Sequence, residues 1–166
     1  MLISDGYRQL NAEIHGEKPT WGVLPMESIK LIKHLCEKTK IESILDYGCG
    51  KGRLGKVLSC VQSYDPAVPE FSLPPKPADL VVCTSVLEHI EPECLDEVLD
   101  DLKFLTWKMI FFVVATEVDS KNFLSDGRNA HLIQEPFEWW YPKLTSRWKV
   151  QLIEVVDGAF TFVGKT

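Results

Sequence analysis

The sequence predicts one α/β domain built on a mostly parallel β-sheet. Segments with strand-like and helix-like patterns alternate through the first two thirds of the 166 residues, which is typical of this fold class. Residues 109–115 are almost continuously apolar, as in a central parallel strand that is covered on both faces. A content of 45% hydrophobic and 25% charged residues is ordinary for a globular protein, and the length suits one domain over residues 1–166.

The first half of the chain predicts two helices, two strands and a loop. Apolar residues recur at helical spacing over residues 26–39, which indicates an amphipathic helix. A strand over 41–47, a helix over 53–59 and a strand over 61–64 follow. Five prolines between residues 66 and 77 remove backbone donors, so this stretch is predicted to be a loop. Residues 1–25 are polar and mixed, and we expect them to cover the active site.

The second half predicts a buried strand over 78–83, the strand over 109–115, two helices and a closing pair of strands. Pro92 suits the first turn of a helix, whose apolar stripe consists of Leu95, Val98, Leu99, Leu102 and Leu105. Pro136 can open the next helix, in which Phe137, Trp140, Tyr141 and Leu144 recur at helical spacing. The last two strands, 150–156 and 160–163, are joined through Asp157-Gly158, which places an antiparallel strand near one edge of the sheet.

The charge balance disfavours nucleic acid as a partner. Eighteen Lys and Arg residues stand against 24 Asp and Glu residues, which gives a formal net charge of −6, and the basic residues are scattered. Proteins that bind a phosphate backbone usually carry a basic stripe. No apolar stretch has the length needed to cross a bilayer, so no membrane association is expected either.

The five cysteines predict neither a metal site nor a disulfide. Their number is odd, and no pair has the close C-x-x-C spacing of a zinc or redox site. Cys60 and Cys83 lie within apolar runs, where a small buried side chain is suitable. Because the N-terminus also lacks the pattern of a secretory leader, the sequence predicts a cytoplasmic protein with reduced thiols.

A glycine-rich turn at the end of the first predicted strand carries the strongest functional signal. The strand ends at Asp46, and three alternate glycines, Gly48, Gly50 and Gly52, lead into the next helix. Glycine lets a ligand approach the main chain closely. Asp65 ends the second strand 19 residues after Asp46, where a carboxylate can accept hydrogen bonds from ribose hydroxyls. The pattern therefore predicts a nucleoside-containing ligand at the carboxyl ends of the strands.

Two kinds of cofactor compete for this turn. Residues 50–55 match the G-x-G-x-x-G fingerprint of dinucleotide-binding proteins. However, Asp65 follows the first glycine of that match by only 15 residues, where about 20 are expected. An acid at Asp46 would also repel a pyrophosphate, whereas it would attract a ligand with sulfonium and ammonium groups. A nucleoside cofactor that carries these positive charges is therefore favoured over a dinucleotide.

The turn resembles the D-x-G-x-G-x-G motif of the class I S-adenosylmethionine-dependent methyltransferases. A second stretch, 78–90, resembles the family's fourth strand with its V-L-E-H ending, and 108–116 is similar to the fifth strand. The resemblance spans roughly residues 41–116 and implies a Rossmann-like three-layer sandwich that uses S-adenosyl-L-methionine and releases S-adenosyl-L-homocysteine. The cofactor-binding residues that it implies are Asp46, Gly48, Cys49, Gly50, Gly52, Asp65, Pro66, Thr84 and Ser85.

The chain departs from the family pattern between the second and fourth strands. Family members usually place a helix and a third strand there, but only a proline-rich loop separates Asp65 from the strand that begins at residue 78. We therefore expect a trimmed sheet, with Pro66, Ala67 and Val68 near the adenine ring.

The acceptor is predicted to be a small molecule with a sugar hydroxyl or another hydroxyl group. His131 lies in a polar segment after the fifth-strand motif, and it is the candidate general base. The candidate residues of the acceptor pocket are Trp21, His89, Trp139 and Trp140. Two alternatives stay open: a degenerate or non-catalytic partner subunit, and an RNA or nucleotide methyltransferase.

Overall fold

The computed structural model describes residues 1–22 and 24–166. The described helices are α1 (Asp5–Glu17), α2 (Met26–Thr39), α3 (Arg53–Val57), α4 (Leu95–Leu105) and α5 (Phe137–Thr145). The strands are β1 (Ile44–Tyr47), β2 (Val61–Tyr64), β3 (Ala78–Thr84), β4 (Thr106–Ala115), β5 (Lys149–Val156) and β6 (Ala159–Lys165). No helix in these two ranges is long and apolar enough to cross a membrane.

All six strands form one sheet in the order β2-β1-β3-β4-β6-β5. The first four are parallel to one another, while β6 runs antiparallel to both of its neighbours. The antiparallel strand is therefore second from one edge, which confirms the predicted arrangement. Because β1 lies between β2 and β3, Asp46 stands beside Ser63 on one side and Val82 on the other.

Helices cover both faces of the sheet, as alternating apolar residues along the strands require. On one face, α4 and α5 pack against Leu45, Val81 and Phe112. On the other face, α2 and α3 pack against Ile44, Leu80 and Phe111. Neighbouring strand residues thus belong to opposite cores, and the molecule is the predicted three-layer sandwich.

The segment between β2 and β3 is trimmed, as predicted. Residues 66–77 form a loop that contains one 3-10 turn, Pro69–Phe71, and no strand, so that β2 is an edge of the sheet. The loop folds back on the end of β2, since the Asp65 backbone N–H donates to the carbonyl of Phe71 at 3.0 Å. The proline-rich composition accounts for this shape, because five of the twelve residues are prolines, which cannot donate to a ladder.

Helix α1 was not predicted from the sequence. Ser4 caps it by accepting a hydrogen bond from the backbone N–H of Tyr7, and Asp5 stands in its first turn. Tyr7 and Ile14 pack against Leu124 in a small core outside the sheet. The seven-residue spacing of these two apolar residues fits a helix, but the polar positions around them conceal the pattern.

Candidate functional site

A cavity of about 300 Å³ opens at the carboxyl ends of β1, β2 and β3. Ligands bind at this end of parallel α/β sheets, where the winding of the strands reverses. Its far wall is formed by α1 and by the segment that leads to α2. The residues that line it include Tyr7, His15, Trp21, Gly22, Asp46, Gly48, Cys49, Gly50, Asp65, Pro66, Ala67, Thr84, Ser85, Val86, His89, Asp119 and His131.

The glycine turn can take its shape only without side chains at Gly48 and Gly50. Both residues have a positive φ, 76° and 51°, which L side chains rarely adopt. A Cβ on Gly48 would lie 2.3 Å from Cγ2 of Val86, and one on Gly50 would lie 2.5 Å from the carbonyl oxygen of Gly22. Gly48 therefore allows the turn after β3 to pack against the glycine turn, and Gly50 allows the N-terminal segment to do so.

Asp65 is held in place by both ends of its carboxylate. Oδ2 accepts a hydrogen bond from the Gly50 backbone N–H at 3.0 Å, and Oδ1 accepts one from the Ala67 N–H at 2.9 Å. The acid at the end of β2 is thus tied to the glycine turn and to the shortened loop. Two carboxylate oxygens have further lone pairs, so Asp65 can still accept hydrogen bonds from ribose hydroxyls.

Asp46 is a buried acid with a strongly perturbed ionisation. Burial, together with the negative charge of the neighbouring Asp65, raises the pKa of Asp46 to about 7. Removing a carboxylate from water disfavours its charged form, and a second acid nearby adds repulsion. A positively charged ligand beside these two acids would favour the charged form of Asp46, and a sulfonium group carries such a charge.

The chain turns sharply where β3 ends. Ser85 has a φ of 52°, an unusual conformation for a residue with a side chain. Its N–H donates to the carbonyl of Val113 in β4 at 2.8 Å, which continues the parallel ladder past Thr84. Strained backbone of this kind is concentrated at functional sites. The turn directs Thr84 and Ser85 to the cavity and places Val86 beneath Gly48.

Helix α1 and the segment after it form a cover, which we define as residues 1–22. The Tyr7 hydroxyl donates to the carbonyl oxygen of His89 at 2.5 Å, and burial raises the pKa of Tyr7 to about 12. Ser4 donates twice to the carboxylate of Glu91, from its N–H at 2.8 Å and from its hydroxyl at 2.6 Å. At the other end, the Lys51 N–H donates to the carbonyl of Gly22 at 3.3 Å. The cover is thereby fastened to both sides of the cavity.

Three aromatic rings form a continuous row along the cavity. Trp21 meets His89 edge to face at 5.0 Å between ring centroids, and His89 meets His131 in the same way at 4.9 Å. Burial lowers the pKa of His89 to about 4, which makes this imidazole neutral at ordinary pH. Trp21 and the neutral imidazole of His89 therefore contribute uncharged rings to this part of the cavity lining.

A polar loop between β4 and α5 holds His131. Asn129 Oδ1 accepts hydrogen bonds from the backbone N–H groups of Asp119 at 3.1 Å and His131 at 3.0 Å. The carboxylate of Asp119 lies beside the ring, with Oδ2 at 4.0 Å from Nε2 of His131. Asn129 thus holds the backbone of His131, and the ring is oriented by Nδ1, which lies 2.6 Å from the carbonyl oxygen of Glu117.

The structure brings most of the predicted site residues together, with three exceptions. Trp140 is completely buried in the core, where its Nε1 donates to the carbonyl of Glu135, and Trp139 packs against the same core. Neither lines the cavity, so their prediction as pocket residues is wrong, because α5 packs both indole rings against the core. Gly52 also lies off the cavity lining, because Phe71 fills the space beside it.

Sequence reasoning missed Tyr7 and Asp119 as site residues, and it considered His15 only as part of an N-terminal segment that could fold over the site. All three line the cavity, yet they come from segments without a motif. The helical spacing of Tyr7 and Ile14 was the available signal for the cover, since it predicts which face of α1 is buried. Asp119 had no comparable signal, because the fold of the loop decides its position.

Comparisons with known proteins identify relatives by structure only. No protein-family model matches the chain, and no curated protein matches its sequence. The structure is similar to DhpI in a complex with SAH, with a TM-score of 0.64 and 17% identity over 96% of this chain and 95% of that one.

Two further methyltransferases are similar over most of their length. One is the methyltransferase domain of bacterial CtHen1, with a TM-score of 0.60 and 14% identity over 84% of this chain and 97% of that one. The other is the N-methyltransferase NodS from Bradyrhizobium japonicum WM9, with a TM-score of 0.60 and 12% identity over 85% and 95%. Identities this low show a shared fold. The chain has the class I methyltransferase fold that its motifs resemble.

Proposed function

We propose that the chain is an S-adenosylmethionine-dependent methyltransferase that acts on a hydroxyl group of a small, uncharged acceptor. The observation that carries the proposal is the pair of buried acids, Asp46 and Asp65, at the ends of adjacent strands on one cavity wall. The glycine turn lies between them, and Gly48 and Gly50 line the same cavity. DhpI, with the same fold, was solved in complexes with SAH and with SAM and HEP.

The residues at the cavity fit this cofactor in charge and in shape. When bound, S-adenosylmethionine supplies a methyl group that its sulfonium activates for transfer. Asp46 would stabilise the positive charge, and Asp65 would accept hydrogen bonds from the ribose hydroxyls. Cys49, Pro66, Thr84 and Ser85 line the same cavity and would enclose the ligand. Gly52, in contrast, would act only by shaping the turn.

The acceptor side of the cavity supports an uncharged substrate. The acids on the cavity lining are Asp46 and Asp65, which the cofactor would contact, and Asp119 beside His131. No lysine or arginine stands among the described lining residues. An anionic acceptor would be repelled by this wall, while a neutral hydroxyl can hydrogen-bond to it. The narrow space beside Trp21, His89 and His131 suits a small molecule better than a nucleic-acid strand.

His131 is proposed as the group that receives the hydroxyl proton. Its Nδ1 lies 2.6 Å from the carbonyl oxygen of Glu117, which requires the proton of a neutral ring on Nδ1 and leaves Nε2 as an acceptor. Replacing such a base typically costs about 10²–10⁴-fold in rate. We expect His131→Ala to reduce kcat by about this factor while cofactor affinity stays unchanged, with the exposed His34→Ala as a matched control.

A calorimetric titration with S-adenosylmethionine and S-adenosylhomocysteine tests the proposal. Wild type should bind both ligands, and Asp65→Ala should lose most of the affinity, whereas Asp126→Ala removes an equal charge from an exposed loop and should bind normally. A folded wild type that binds neither ligand would exclude the enzyme and favour the partner-subunit alternative. Undiminished binding by Asp65→Ala would leave the cofactor in place but refute the ribose contact.

Methyl transfer itself is tested by supplying cofactor with a labelled methyl group. A panel of acceptors should pair neutral hydroxyl compounds with their phosphorylated or carboxylated analogues. We expect turnover of a neutral compound and rejection of its anionic partner. Preferred methylation of the anionic analogue, or of a short RNA, would contradict the proposed acceptor class.

A further inference from the structure

The side chains of Glu88, His89 and His131 converge at the inner wall of the cavity. Glu88 and His89 belong to the 3-10 turn Leu87–His89 that follows β3, while His131 comes from the loop before α5. Each offers one ligand atom, and the three atoms lie within 4.8 Å of one another. We infer that these side chains form a binding site for a divalent transition-metal cation.

Both imidazoles are prepared to act as neutral ligands. Nδ1 of His89 lies 2.7 Å from the carbonyl oxygen of Ala130, and Nδ1 of His131 lies 2.6 Å from that of Glu117. Because a carbonyl oxygen only accepts hydrogen bonds, the neutral form of each ring carries its proton on Nδ1 and keeps a lone pair on Nε2. Histidines that bind metals usually donate their other ring N–H in this way, which fixes both the tautomer and the orientation of the ring.

The carboxylate of Glu88 supplies a second, independent indication. The side chain is fully buried, and its Oε1 accepts a hydrogen bond from the Ala115 N–H at 3.1 Å. Its Oε2 is also buried and has no hydrogen-bond partner among the described residues. A buried carboxylate oxygen without a partner is costly, and a cation bound beside it would remove that cost.

Two imidazole nitrogens and one carboxylate oxygen define the class of ion. This set suits Zn²⁺ and the neighbouring ions Co²⁺, Fe²⁺ and Mn²⁺, whereas Mg²⁺ and Ca²⁺ prefer oxygen ligands throughout. Bonds of about 2.1 Å place zinc ligands about 3.4 Å apart, so binding would draw these ligand atoms, which lie within 4.8 Å of one another, together by up to about 1.4 Å. Asp119, with Oδ2 at 4.0 Å from Nε2 of His131, is within reach as a further ligand.

The position of the ion gives it a role in holding the acceptor. His89, His131 and Asp119 line the cavity, so the open coordination positions would face the substrate. This role rests on the proposed methyltransferase function, although binding of the ion does not. With the ion bound, Nε2 of His131 would be a ligand and would take up no proton. In that state the ion would orient the acceptor oxygen and make its hydroxyl more acidic, and the hydroxyl proton would pass to the carboxylate of Asp119, which lines the same cavity.

Metal titration of the full, tag-free chain tests the site. After treatment with a chelator, the protein is titrated with Zn²⁺ by calorimetry and with Co²⁺ by visible absorption. We expect one equivalent of either ion to bind, and both His131→Ala and the isosteric Glu88→Gln to weaken binding by roughly 10-fold or more. His34→Ala, which removes an exposed histidine of α2, should bind like wild type. Cys60→Ser controls for an exposed thiol.

The outcomes separate this site from the cofactor site. The same samples are titrated with S-adenosylmethionine, and His131→Ala should keep wild-type affinity for it. A folded wild type that binds no stoichiometric metal would overturn the inference, as would equal affinities in wild type and His131→Ala. Loss of metal binding in Cys60→Ser alone would assign the ion to the thiol and also overturn it. Failure to bind S-adenosylmethionine would count against the proposed function only.

Discussion

Nε2 of His15 lies 3.8 Å from Oδ2 of Asp65, so helix α1 reaches the carboxylate at the end of β2. The imidazole is largely buried, and burial lowers its pKa although the charge of Asp65 opposes the shift. Its Nδ1 is buried without a hydrogen-bond partner among the described residues. The cover therefore does more than close the cavity, because it places a polar group beside the proposed ribose site.

Docking of the cover depends on the absence of a side chain at Gly50. We predict that Gly50→Ala separates the cover from the glycine turn, since the new Cβ would lie 2.5 Å from the carbonyl oxygen of Gly22. Without cofactor, limited proteolysis should cleave the cover faster, and cofactor affinity should fall by roughly 10-fold, or about 1.4 kcal/mol. Gly127→Ala is the matched control, because Gly127 also has a positive φ, 88°, but has open space around it. Equal cleavage of both variants would contradict the role of Gly50.

Asp46 should make stability depend on pH in a defined direction. The pKa of Asp46 is raised to about 7 on folding, from an ordinary value of about 4 in the unfolded chain. The carboxyl therefore contributes its full stabilisation below about pH 4, and this contribution is lost as the pH rises through 7. Asp46→Asn removes this loss. Between pH 4 and pH 8, the unfolding free energy of the variant should therefore rise relative to that of wild type by on the order of 3 kcal/mol.

Denaturant unfolding at several pH values measures this difference. Burial raises the pKa of Glu88 to about 7 and lowers that of His89 to about 4. Both groups contribute to the total pH dependence with opposite signs, but they are common to variant and wild type and cancel in the difference. A difference that stays constant with pH would mean that Asp46 ionises normally in the folded protein.

Cofactor binding should release a proton from Asp46. A sulfonium cation beside the carboxyl favours its charged form, so binding lowers the pKa and the affinity should rise with pH up to about 7. Below that pH the expected limit is about 10-fold per pH unit for one proton. Calorimetry in two buffers with different ionisation enthalpies counts the protons. Asp46→Asn should abolish the release, and a variant that still releases a proton would assign it to another group.

The strained turn at Ser85 should respond to glycine in the opposite way from an ordinary position. Ser85 has a φ of 52°, where a side chain costs about 1 kcal/mol relative to glycine. Ser85→Gly should therefore raise the unfolding free energy by up to about that amount. Ser72→Gly, at a φ of −82°, should lower it, because glycine adds disorder to the unfolded chain and removes the hydrogen bond from the Ser72 hydroxyl to the carbonyl of Pro69. If both changes destabilise the protein, Ser85 is not strained.

The sequence by itself determined the sheet and the cavity wall that carries Asp46 and Asp65. The alternation of apolar segments, the glycine turn at Gly48 and Gly50, and the acids Asp46 and Asp65 are local patterns, and their structural consequences are short-range. The same holds for the shortened loop, because its prolines exclude a strand wherever the loop is placed. These features could therefore be read before any tertiary contact was known.

Only the tertiary structure decided the opposite wall. Tyr7, His15 and Asp119 lie in segments without a motif, and their places depend on how α1 and the loop before α5 pack against the sheet. Trp140 is a second example, because its helical spacing allowed either a pocket or a core position. Its packing against Phe160 in the folded protein places it in the core. The cluster of Glu88 and His131 is invisible in the sequence, because long-range folding alone brings these residues together.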